Sequence, residues 1–200
     1  MKLNKLQKKI GISFKDDKLL IQALTHKSFD TKNNYEKLEF LGDRVLGFVI
    51  SKKLLELYPN EKVGMIDKKL ANLVNKNKCF EIGKELELDN YILTGNTEKK
   101  KKVNIEKKII SDCCESLIGA IYIDKGFEVS SKFILNYWKN YLNLSDITVI
   151  DSKTRLQEYS LKKFKALPIY KLISNTGPRH KPNFKISVKI KDSKTVIADG

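Results

Sequence analysis

Glu39 and Asp43 stand four residues apart in YEKLEFLGDRVLGFVISKKLL (35–55), and Asp112 and Glu115 stand three apart in IISDCCESLIGAIYID (109–124). Residues at those spacings share a helix face, so each pair sets two carboxylates side by side. Glu36 extends the first pair: at about 100° per residue it nearly eclipses Asp43, and Glu39 lies roughly 60° to one side. The rest of that stretch is apolar. Leu38, Leu41, Val45, Phe48 and Val49 cover the side opposite the acids, while Phe40, Leu46, Gly47 and Ile50 flank them. Such a helix is expected to be buried, and ionised carboxylates on it need a partner. The second pair has Ile109, Gly119, Ala120 and Tyr122 around it, and Gly119, one turn beyond Glu115, leaves room for another helix to approach.

One economical arrangement faces the four acids around a divalent cation, and all-oxygen ligation favours hard ions such as Mg²⁺ or Mn²⁺. A di-iron carboxylate bundle would supply Glu-x-x-His from two helices. Here Gly42 follows Glu39 at that spacing, Ile118 follows Glu115, and the only histidines are His26 and His180. The alternative is that the acids form separate salt bridges with Arg44, Lys37 or Lys108.

The elements that must position these acids read as helices from residue 3 to about 143. Leu3, Leu6 and Ile10 fit a short amphipathic helix, and LLIQAL (19–24), 35–57 and MIDKKLANLV (65–74) show apolar recurrence at three and four. Tyr58-Pro59 ends the long helix. GNTEKKKKVN (95–104) reads as an exposed loop, followed by helical texture over 105–124 and, past Gly126, over 127–144. After SDITVIDSK the texture changes. TRLQEYSLKKF (154–164) is helical; then PIYKLISN, NFKISVKIK and KTVIAD read as strands, with Phe184, Ile186, Val188 and Ile190 alternating with polar residues as in a half-buried strand. A boundary is expected near residue 148.

Lys and Arg total 39 against 24 acids, for a net charge of +15. That balance points to a polyanion such as nucleic acid, with a lysine-rich coding bias as the bland alternative. Residues 151–200 hold 12 basic and 4 acidic residues, so the last quarter carries about half the excess. No apolar run approaches the ~20 residues of a membrane span, and the first residues lack the apolar stretch of a secretory signal. Cys79, Cys113 and Cys114 show no Cys-x-x-Cys spacing, which argues against a disulfide framework or zinc site. A reduced, cytoplasmic protein is expected.

EKLEFLGDRVL (36–46) resembles the signature helix of the ribonuclease III family, and DCCESLIGAIYID (112–124) resembles its second acidic helix. TRLQEY (154–159) with GPRHKPNF (177–184) resembles the double-stranded-RNA-binding domain that follows the nuclease domain in bacterial members. The resemblance implies an all-α nuclease domain over 3–147, then a small α+β double-stranded-RNA-binding domain over 151–200. It implies a homodimeric, Mg²⁺-dependent endonuclease for duplex RNA, with Mn²⁺ able to substitute, acting in the processing of rRNA and other structured transcripts including mRNA. No small-molecule cofactor or membrane is implied. Glu39, Asp112 and Glu115 then match metal ligands, Asp43 groups with Glu115 as catalytic, and Glu36 is an accessory acid just outside the cluster.

Duplex RNA presents 2′-hydroxyls and phosphates across its minor groove. On helix 154–164, Thr154, Glu158 and Lys165 can share a face with Gln157 beside it, and short polar side chains there suit 2′-hydroxyls. Pro178-Arg179-His180-Lys181 matches the family's minor-groove loop; otherwise His180 is an exposed loop residue. Two features depart from the family. Val63-Gly64 stands where Glu-Gly is common, with Glu61 out of register. The sequence ends at ADG (198–200), where the family continues into a final helix that covers the sheet, so the expected second domain lacks that helix. The rivals are a non-catalytic duplex-RNA binder of the same fold, against which the four intact acids argue, and a structural helical protein, which leaves the basic second part unexplained.

Overall fold

The structure, a computed structural model, describes residues 2–95, 106–144, 152–176 and 183–199. Its chain divides into two compact units, Met1–Ile147 and Thr148–Gly200. In the first unit the described elements are α1 (Lys2–Ile10), α2 (Asp17–Ala23), α3 (Glu36–Leu57), α4 (Val63–Leu73), α5 (Lys76–Glu85), a 3₁₀ turn (Leu88–Asn90) and α6 (Lys107–Leu144). Gly126 interrupts α6 at φ 80° and ψ −177°, a conformation open to glycine, so α6 is two helices meeting at one residue. No helix among the described residues is long and apolar enough to cross a membrane.

The first half of α6 is the centre of the unit. Every residue from Ile110 to Ile121 is buried, and the small side chains of Ser111, Cys113, Cys114, Ser116, Gly119 and Ala120 let neighbours press in from all sides. α3 lies along it over the most extensive helix contact of the unit. Leu46, Ile50 and Leu54 of α3 join Leu117, Ile118 and Ile121 of α6, Leu6, Leu20, Leu24, Ile82 and Leu86 in one core. Trp138 closes it, fully buried, with its indole N–H donating to the Leu73 carbonyl at 2.8 Å. The three cysteines are buried free thiols.

Two expectations from periodicity need correction. α3 is not buried all round: Phe40 is 66% and Phe48 62% exposed, and Leu55 is exposed too. Phe48, expected with Val45 and Val49 on the core side, is instead exposed and meets Phe127 edge-on at 5.6 Å. α5 lies within the stretch that reads as helical, but no separate helix over 76–85 is marked out by periodicity. Asn75 is its N-cap, accepting from the Lys78 N–H at 3.0 Å, and Cys79, Ile82 and Leu86 form its buried stripe.

The second unit contains α7 (Ser152–Phe164) and an antiparallel sheet in the order β1 (Ile169–Thr176), β2 (Asn183–Lys189), β3 (Val196–Asp199). Tyr170, Val188 and Val196 pair across the sheet, as do Leu172, Ile186 and Ala198, so these six residues share one face while Ile169 and Ile197 lie on the other. A bulge at Ile173 shifts the register of β1. Leu172, Ile186 and Val196 are exposed, so β2 is more open than a half-buried strand. Lys165, with φ 53°, lies beyond the end of α7 and does not continue its face.

At the crossing of α3 and α6 there is no room for side chains. A Cβ on Gly42 would overlap the Glu115 carbonyl, and one on Gly119 would overlap that of Leu38. Gly42→Ala should therefore cost about 3 kcal/mol, the upper end for overpacking, because backbone rather than a mobile side chain must move. Gly64→Ala, whose Cβ meets nothing, should be neutral or stabilising by up to about 1 kcal/mol. Urea denaturation of the two variants measures the contrast; equal, small effects would show that the helices can part cheaply.

Candidate metal centre and active site

The start of α3 is fixed by Asn34, whose side-chain oxygen accepts from the Glu36 N–H at 3.0 Å while its amide donates to the Asp30 and Thr31 carbonyls. This sets Glu36 and Glu39 in the first turn, where the helix dipole favours acids. The close glycine contact then lays α3 against Asp112 and Glu115. Glu39, Asp112 and Glu115 each offer an oxygen within 4.8 Å of the others. Asp112 is 3% and Glu115 4% exposed, while Glu39 is half-buried. Above them opens a cleft of about 650 Å³ lined by Glu36, Glu39, Phe40, Asp43, Val74, Asn75, Lys76 and Glu115.

A cation already stands in the cluster. The Lys76 ammonium is ion-paired with Asp112 and lies 3.6 Å from Glu39; Lys108 reaches the other Asp112 oxygen at 3.6 Å. Asp43 lines the cleft, but its carboxylate is paired with Arg44, whose guanidinium lies over the Phe40 ring. Glu36, on the cleft rim, accepts from Lys27 at 3.0 Å. The sequence reading named Arg44 and Lys108 among possible partners and missed Lys76. Its signal was present: an N-capping Asn75 followed by Cys79, Ile82 and Leu86 at helical spacing.

Burial dominates the electrostatics. It pushes the Glu115 carboxyl up to about 7, against the pull of Lys76 and the Cys79 thiol, with Asp43 and Glu39 adding to the rise. Glu39 is raised by burial and then by the charge of Asp112, again opposed by Lys76. For Lys76 burial works downward, but Asp112, Glu115 and Glu39 outweigh it and hold the amine above its ordinary range. Three crowded oxygen donors, with lysine ammoniums as their close counter-charges, form a donor set suited to a hard divalent ion.

Of the proposed RNA contacts, Gln157 is half-buried and Glu158 exposed on α7, which also contains Thr154. Arg179, His180 and Lys181 lie outside the described residues, as does the lysine run at 99–102.

A family model for the ribonuclease-III-like domain matches residues 16–142, and one for the double-stranded RNA binding motif matches 152–200. Ribonuclease 3 of Pelagibacter ubique (strain HTCC1062) is 62% identical over 202 residues, spanning 100% of this chain and 90% of its own length. Ribonuclease 3 of Agrobacterium fabrum (strain C58 / ATCC 33970) is 40% identical over 190 residues, covering 94% of this chain and 80% of the relative. Among solved structures, the nuclease domain of ribonuclease III from Campylobacter jejuni, described with a flexible region involved in dimer formation, superposes with a TM-score of 0.65. It is 37% identical and covers 70% of this chain and 97% of that one.

The raised Glu115 carboxyl ties stability to pH in the absence of divalent ions. Its folded value of about 7 lies above the roughly 4.3 of an unfolded glutamate, so the folded state holds the proton more tightly. The stabilisation is full below the unfolded value and is lost as pH rises through about 7. Glu115→Gln removes that loss. In chelator, its stability relative to wild type should climb between about pH 4.5 and 7 and level off above, as read by denaturant unfolding at each pH. A difference flat across that window would contradict the buried, protonatable carboxyl.

Proposed function

The chain belongs to the ribonuclease III family, and on that premise we propose that it hydrolyses duplex RNA with a divalent cation, Mg²⁺ in the first instance, held by Glu39, Asp112 and Glu115. It is a double-stranded-RNA endoribonuclease. The observation that carries the metal reading is the crowding of those three carboxylate oxygens within 4.8 Å at the base of an open cleft.

Phosphodiester hydrolysis needs a water ready to attack phosphorus and relief of the charge that gathers on the phosphate and leaving oxygens. A bound divalent ion supplies both, by acidifying water and by neutralising charge. The chain's own residues supply the rest. Asp112 and Glu115, fixed on the buried helix, give the site rigidity, and Glu39 closes it from α3. Asp43, on the open side and steadied by Arg44, acts with Glu115 in holding the attacking water. Glu36 at the rim is an accessory acid. Mn²⁺, with similar oxygen preference, substitutes.

Residues 3–147 form the nuclease part and 151–200 the RNA-binding part, in which Thr154, Gln157 and Glu158 face 2′-hydroxyls and Arg179, His180 and Lys181 enter a minor groove. The targets are rRNA precursors and other structured transcripts in the cytoplasm. The working form is a homodimer: the exposed Phe40, Phe48 and Leu55 give α3 an apolar surface that its own unit does not cover.

The test is a long RNA duplex incubated with and without Mg²⁺ and resolved on a gel. Glu115→Gln keeps shape but removes a ligand charge, so cleavage should drop by orders of magnitude while gel-shift binding of the duplex persists. Near-wild-type cleavage would sink the metal assignment. For assembly, light scattering at micromolar concentration should return twice the mass of one chain, both for the full chain and for residues 1–147. A single-chain mass would refute the dimer.

A further inference from the structure

Lys76 opens α5, the worst end of a helix for a cation, where the dipole opposes positive charge. It is nevertheless held there firmly. Asn75 caps α5 with its oxygen and, with its amide, donates to the Ala71 and Asn72 carbonyls at 3.3 and 2.9 Å, locking the joint between α4 and α5. From that joint the ammonium reaches Asp112 on α6 and Glu39 on α3 together. Those are two of the three groups that crowd around the metal position, and they come from the two helices a metal would bridge. Lys108 differs: it is more exposed, approaches from the same helix as Asp112, and is ion-paired with Asp112 alone among these acids. The Lys76 side chain is also half exposed toward the cleft, so its flexible stem has somewhere to go.

We propose that Lys76 is the resident counter-cation of the metal-free site, and that metal binding is an exchange in which the divalent ion takes Asp112 and Glu39 from the Lys76 ammonium. This rests on the metal reading above and adds to it how the cluster survives without the ion. Three crowded carboxylates, two of them buried, would repel one another and lose hydration without a cation. A tethered ammonium relieves both costs and, being monovalent and strongly hydrated, leaves when a divalent ion arrives. The exchange also sets the metal affinity, since every binding event must first release the lysine.

The experiment uses the full chain and Mg²⁺. Lys76→Met removes the competing charge and keeps the length of the stem. By calorimetry it should bind Mg²⁺ more tightly, roughly tenfold given one nearby unit charge in a partly solvated site. Its melting temperature should fall in chelator but stay near wild type in saturating Mg²⁺, because the lysine has then already left the acids. Lys108→Met should change both far less. A fall of equal size with and without Mg²⁺, or an unchanged affinity, would assign Lys76 a merely structural role and overturn the exchange. If Lys76→Met fails to fold, the wild type still decides. The side-chain ¹⁵Nζ resonance of Lys76, identified by its loss in Lys76→Arg, should move as Mg²⁺ is added; a resonance fixed through saturation overturns the proposal. If wild type and Glu115→Gln bind Mg²⁺ alike, the metal reading itself fails, and the exchange fails with it.

Discussion

The backbone contact between α3 and α6 is the constraint on which the rest of the first unit depends. Gly42 and Gly119 let Leu38 and Glu115 present their carbonyls where a Cβ would otherwise stand. Helices usually pack 8–10 Å apart, with side chains setting the gap. Where two glycines remove the side chains, the acids one turn away are carried inward with the backbone. Glu39 and Glu115 are brought together by the same feature that lets the core close, so the site cannot be loosened without loosening the fold.

That closeness has an electrostatic cost, and magnitudes show how the chain bears it. Burying a charged group uncompensated costs several kcal/mol, whereas each fully buried Leu or Ile contributes about 1.5–3 kcal/mol. Leu46, Ile50, Leu54, Leu117, Ile118 and Ile121, all essentially inaccessible, supply burial on the same scale as the cost of the acids, so charge compensation at the site decides how much of that burial is left to hold the fold. Burial pushes the Glu115 carboxyl upward, and cations stand against the other acids: Lys76 and Lys108 on Asp112, and Arg44 on Asp43.

What was legible in the sequence was whatever a helix converts from spacing into position. Glu39 with Asp43, and Asp112 with Glu115, declare a shared face by number alone, and α2, α3 and α4 announce themselves by apolar recurrence. The alternation of β2 likewise foretold that Ile186 and Val188 share a face. Periodicity failed where the deciding partner is distant or the stripe is ambiguous. Lys76 belongs to the site through an acid 36 residues away, and the signal of α5, its N-cap Asn75 and a short stripe in KNKCFEIGKE, is weak beside those of the longer helices. Phe48 was misplaced because α3 carries more apolar surface than its own unit can cover, and spacing cannot say which residues are left over. The glycine after Glu115 was read as room for a neighbour; that Gly42 is the matching half emerges only in three dimensions.

An acidic cleft that must receive a polyanion poses a last problem, and range decides how it is solved. The net charge of +15 is shared almost evenly between residues 1–150 and 151–200, so attraction to phosphates acts over the whole chain and draws duplex RNA in without regard to sequence. At physiological ionic strength, however, the field of an exposed charge fades over about 8 Å. Lysines elsewhere on the surface can raise the rate of encounter, but they cannot neutralise the carboxylates of the cluster when a phosphate arrives there. That task falls to a cation within contact distance. The only described cation touching both α3 and α6 acids is Lys76, and the donor set around it matches a divalent ion. Long-range attraction and local charge balance are thus carried by different residues. On the proposed reading, the abundant lysines set how readily RNA binds, and the few groups at the cluster set whether the phosphate can come close enough to react.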